Sequence, residues 1–93
     1  MKIKFDSNFL YLLRNQISYI AKDKPLASKK FQKDLIYNLK KDLKYPYNFK
    51  KSIYFDDDMI RDYTFKGYTI VFFINLEKNQ VEIFEFIKYM EKL

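Results

Sequence analysis

Of the 18 basic side chains only two are arginines, Arg14 and Arg61, and the chain has no histidine and no cysteine. That removes disulfides, zinc sites of the usual Cys/His kind and every His-based triad or dyad. Proton transfer or charge stabilisation must come from Lys, Arg, Tyr, Asp or Glu. Arg61 ranks first among these, because a guanidinium at the start of a strand can hold a phosphate or a carboxylate bidentately. Its competing reading is an ion pair with Asp58 or Glu85. Lys50, Lys51 and Lys66 fall near strands and are placed for binding, whereas Asp56-Asp57-Asp58 lacks the spacing and glycine of a calcium loop and reads as solvated acid, so no metal site is expected.

The 93 residues make one domain, residues 1–93, and ten Phe and nine Tyr supply its core. Residues 1–52 carry 13 basic and 4 acidic side chains, while residues 53–93 carry 5 and 8. The positive half favours a polyanion or an acidic protein. No stretch approaches about 20 apolar residues and no apolar leader opens the chain, so the sequence predicts a cytoplasmic protein without membrane contact.

Lys2-Ile3-Lys4-Phe5 alternates as a short strand, and Asp6 and Ser7 offer helix-capping oxygens. From Asn8 to Ala21 the apolar Phe9, Leu10, Leu13, Ile17, Ile20 and Ala21 share about a third of a helical wheel. Pro25 breaks that helix and suits the first turn of a second. Along the second, Ala27, Phe31, Leu35, Ile36, Leu39 and Leu43 define a core face, with Lys29, Lys33, Lys40 and Lys44 in an arc opposite and Lys30 and Lys41 beside it. Two helices so joined should form an antiparallel hairpin. Tyr45-Pro46-Tyr47-Asn48 ends the helix. Residues 52–55, 62–65, 68–75 and 81–88 then read as strands, with a two-residue turn at Lys66-Gly67. The apolar run from Ile70 to Ile74 predicts burial on both sheet faces. The fold class is α+β: an N-terminal strand, an antiparallel helical hairpin, then a three-stranded antiparallel meander, in the order β-α-α-β-β-β. Tyr54, Tyr63, Phe65, Tyr68, Phe72, Phe73, Phe84 and Phe86 include candidates for base stacking, though alternation commits about half of them to the core.

Several strings, taken in order, resemble the RelE/ParE toxin superfamily. Residues 19–27, Tyr-Ile-Ala-Lys-Asp-Lys-Pro-Leu-Ala, are similar to its helix-to-helix junction. Lys50 to Asp57, then Ile60-Arg61-Asp62-Tyr63, then Phe65 to Val71 resemble its central sheet, in which an arginine opens a strand before a hairpin; Val81-Glu82-Ile83-Phe84 is similar to its final strand. The resemblance spans about Phe5 to Tyr89. It implies a toxin of a bacterial type II toxin–antitoxin pair, silenced by a cognate antitoxin, with no cofactor, and found as a homodimer or a toxin–antitoxin hetero-oligomer. The long, proline-separated hairpin looks closer to ParE-like gyrase inhibitors, with Arg61, Lys50, Lys51, Lys66, Lys29 and Lys33 contacting target or antitoxin. The alternative is a RelE-like ribosome-dependent mRNA endonuclease using Arg61, Lys88 and Tyr89. Lys88 stands where the family often has His, and Phe73 where it often has Arg; both departures weaken the nuclease reading.

Overall fold

A computed structural model describes residues 1–88. Strand β1 (Lys2–Phe5) leads into helix α1 (Ser7–Asp23). Asp6 caps it from extended backbone, its Oδ2 accepting from the Asn8 N–H at 3.2 Å. The Asn8 side chain donates to the Phe84 carbonyl at 2.9 Å, tying the helix start to the sheet. With only Lys24 between the helices, Pro25 stops α1 and opens helix α2 (Pro25–Asp42), where the missing proline N–H is no loss.

Beyond α2 the chain makes a short 3-10 turn over Pro46–Asn48 and then enters strands β2 (Ile60–Phe65), β3 (Tyr68–Asn75) and β4 (Gln80–Lys88). The sheet order is β1-β4-β3-β2, with β1 parallel to β4 and the other neighbours antiparallel. The β2–β3 turn is as expected: Lys66 (φ 48°) and Gly67 (φ 83°) both take positive φ, as a two-residue hairpin of this twist requires. In β4 the register slips beside Phe72, which pairs with Ile83 while Val71 pairs with Glu85; Phe84 is the extra residue of a bulge.

One expected strand is absent. Residues 52–55 form no strand; only Lys51 bridges to Arg61. Local side chains compete for the backbone here: Ser52 Oγ accepts from the Tyr54 N–H and Asp62 Oδ2 from the Ile53 N–H, each at 3.1 Å, which bends the chain off the sheet edge.

The helices lay Phe9, Leu13, Phe31, Leu35, Leu39 and Leu43 on one face of the sheet, against Tyr63, Ile70, Phe72, Ile74, Val81, Ile83 and Phe86. Leu10 and Ala27 depart from the expected core faces and are exposed, while Ser28 is buried and satisfies its hydroxyl on the Pro25 carbonyl at 2.7 Å. On the far face Val71 is buried and Phe73 half-buried, in line with the unbroken apolar run. Most of the sheet aromatics are consumed by packing: Phe31 meets Phe65 and Tyr68, Phe49 meets Tyr63 and Phe72, and Tyr68 stacks on Phe86 at 4.9 Å. Of the eight considered for base stacking, only Tyr54 is exposed.

Candidate functional site

The 18-residue α2 carries its lysines on the side turned from the core; Lys29, Lys33 and Lys40 are exposed, as is Lys44 just past its end. Lys29, Lys33 and Lys40 also line a hollow. Two adjoining hollows run along the hairpin and meet at Gln32: one of about 190 Å³ lined by Leu10, Leu13, Arg14, Ile17, Ser18 and Gln32, the other of about 450 Å³ lined by Lys29, Gln32, Lys33, Ile36, Tyr37 and Lys40. The floor is aliphatic and the rim is Arg14 with three lysines. No acidic side chain lines either hollow among the described residues. Such a surface fits an amphipathic partner that brings apolar groups to the floor and carboxylates to the rim. Lys29 and Lys33 were named by the sequence for binding. Leu10, Ile36 and Tyr37 were not, because Leu10 and Ile36 read as core; the signal for them lay in an apolar stripe wider than the sheet could cover.

The other named residues scatter. Arg61 makes neither expected ion pair, with Asp58 or with Glu85. Its Nε donates to the Asp58 carbonyl at 2.9 Å and its Nη1 to the Phe49 carbonyl at 2.8 Å, and the guanidinium lies over the Tyr47 ring at 5.5 Å. It staples two loops to the start of β2. Arg61→Ala is expected to lower stability by about 1–2 kcal/mol, since two carbonyls lose a charged donor. Faster amide hydrogen exchange over residues 47–60 checks it, and Arg61→Lys should restore only part because it loses the planar fork.

Lys51 sits between Asp58 (3.2 Å) and Asp56 (3.4 Å). The hydrogen bond and charge of Asp58, then those of Asp56, hold its ammonium above the ordinary lysine range. The three-aspartate segment thus serves a lysine, and no group of acidic residues with metal-holding geometry occurs among the described residues. Lys50 is exposed beside the β2 edge. Lys66 lies 5.3 Å from the Phe65 ring and 4.0 Å from Asp34. Lys88 lies over Tyr19 at 5.6 Å, and Tyr89 falls outside the described residues.

Register separates the two described members of the nuclease set. Arg61 stands opposite Phe72 and Lys88 opposite Tyr68. That is four residues along β3, about 13 Å, and two strand spacings across, about 10 Å. Their side chains turn to different neighbours, so the geometry does not gather them on one phosphate.

Two buried or half-buried polar groups are structural. The buried Tyr63 hydroxyl donates to Asp42 Oδ2 at 2.6 Å, and burial first, then the bond to Asp42 and its charge, push it well above the ordinary tyrosine range. Glu82 is held below the usual carboxylate range by the amides of Gln80 and Asn75. For Tyr63 the raised value favours the protonated form in the folded state. Its stabilisation is complete below the unfolded value near ~10 and is lost as pH rises through the folded one. Denaturant midpoints measured from about pH 8 to about pH 11 should therefore fall more steeply for the native chain than for Tyr63→Phe. At neutral pH the same variant should lose about 1–2 kcal/mol, because Asp42 keeps its charge without the donor.

No family model, curated protein or solved structure matches this chain. No helix among the described residues is long and apolar enough to cross a membrane.

Proposed function

We propose that this chain is the toxin of a bacterial type II toxin–antitoxin pair, ParE-like in action: it binds DNA gyrase, arrests growth and is silenced by a cognate antitoxin, with which it forms a hetero-oligomer. The observation that carries the reading is the groove along the α1–α2 hairpin, apolar in its floor and basic at its rim, on a chain with the β-α-α-β-β-β order. An acidic, amphipathic antitoxin segment is its natural complement. The separation of Arg61 from Lys88 weighs toward binding rather than cleavage. The nuclease reading, a RelE-like mRNA endonuclease, requires those two cations and Tyr89 to converge on one ribose-phosphate, with a base for the 2′-hydroxyl and a cation for the phosphate.

Induced expression tests the pair of readings. Growth arrest is expected, with no codon-positioned cuts in primer extension on translated mRNA. Cuts that disappear in Arg61→Ala and Tyr89→Phe would replace the gyrase reading with the nuclease one. Absence of growth arrest would remove the toxin reading altogether.

A further inference from the structure

Exposed tyrosines gather at the C-terminal end of α2. Tyr37, Tyr45 and Tyr47 are 65%, 68% and 50% exposed, far more than such large rings need to be in a chain with this much core. Cations accompany them. From Tyr37 through Lys51 the sequence holds five lysines against one acid, Asp42, and that acid is engaged by Tyr63. Lys44 and Lys50 have no ion-pair partner among the described residues.

The Tyr45–Tyr47 turn is also rigid. Pro46 fixes one φ, the Asn48 N–H bonds the Tyr45 carbonyl at 3.0 Å, and the Phe49 N–H bonds the Pro46 carbonyl at 3.3 Å. Arg61 holds the Phe49 carbonyl from beneath and lies over one face of Tyr47. A hollow of about 330 Å³ opens here, lined by Met1, Lys44, Tyr45, Pro46, Tyr47 and Asn48. It shares no residue with the groove along the hairpin.

We propose that this turn is a binding site for single-stranded nucleic acid. Bases stack on the exposed faces of Tyr45 and Tyr47, Lys44 and Lys50 meet the phosphates, and Arg61 acts as a positioning residue that keeps the turn in its bound shape. Ring faces presented on a fixed turn beside the Lys44 ammonium, with Lys50 following two residues after Asn48, suit a strand whose bases are open. A duplex hides its base faces, and an acidic peptide would use the lysines but not the rings. Preorganisation lowers the ordering cost on binding. The site does not depend on the toxin reading.

The test is fluorescence anisotropy of the full chain with labelled oligo(U), oligo(dT) and a duplex of equal length, over a series of salt concentrations. Single strands are expected to bind more tightly than duplex; preference for U or dT identifies RNA or DNA as the ligand. Tyr45→Ala and Tyr47→Ala should each weaken binding at least about five-fold, the lower end for loss of one base–aromatic stack, with an unchanged salt slope. Tyr→Phe at either position should bind as the native chain does. Lys44→Gln and Lys50→Gln should each reduce the slope of log K against log salt by about 0.7. All four positions are exposed, and circular dichroism melts verify that the variants fold. No binding of single strands, equal binding of duplex, or tyrosine variants that bind like the native chain would each overturn the proposal.

Discussion

Replacing Phe72 by alanine should cost about 3–5 kcal/mol, out of the roughly 5–14 kcal/mol that holds a chain of this size. Phe72 is fully buried in the middle of β3, between Arg61 on β2 and Ile83 on β4, with its ring edge-on to Phe49 at 6.0 Å. Truncation therefore removes more than transferred area. It opens a cavity below the loop that Phe49 anchors, where flanking strands fixed on both sides cannot collapse to refill it. A melting temperature lower by at least about 12 °C is expected. Tyr11→Ala, at a 60% exposed position on α1, should stay within about 0.5 kcal/mol of the native chain. A Phe72→Ala loss no larger than that control would mean that β3 is not the centre of the core.

The second large effect concerns the hairpin groove. Arg14→Glu together with Lys33→Glu reverses the sign of the rim at one position of each hollow without touching its floor. Like charges set against an acidic partner cost several kcal/mol, so affinity for the proposed antitoxin should fall at least about 100-fold. Both positions are exposed, and the variant should fold and melt as the native protein does. Co-expression reads the difference: the antitoxin rescues growth from the native chain and fails against the double variant, which stays toxic. Rescue of both alike, with equal affinities, would move the antitoxin off this groove.

The regular parts of this fold were legible because one local rule governed each. Asp6 and Pro25 set helix starts, the α2 apolar spacing set a buried face, and the only glycine marked a turn that required positive φ. The failures share a different cause. Residues 52–55 carry β-forming side chains, yet Ser52 and Asp62 capture their N–H groups, a competition visible only when the two segments are brought together. Leu10 and Ile36 lie on apolar stripes that a helical wheel assigns to the core. Whether such a residue is buried depends on how far the sheet extends beneath the helix: Leu10 is left exposed to floor a groove, while Ile36 is half-buried, packing against the core and also lining the groove.

Arg61 shows the same limit at the level of the site. Residue type and strand position favoured phosphate binding, and the sequence offered two acidic neighbours as the plainer alternative. Neither anticipated two loop carbonyls, of Asp58 and Phe49, converging on the guanidinium, because carbonyl groups have no sequence signature. Lys51 repeats the lesson in reverse: a cation that looked available for a polyanion is shared by Asp56 and Asp58. Lys29 and Lys33 share one face of α2, as helical spacing alone dictates for residues four apart.

The most direct measurement of the proposed function is DNA supercoiling by purified gyrase in the presence of this protein, with and without the proposed antitoxin. Inhibition at stoichiometric excess, relieved by the antitoxin, is the expected result. Unchanged supercoiling at that excess, from a chain that still arrests growth, would contradict the gyrase assignment.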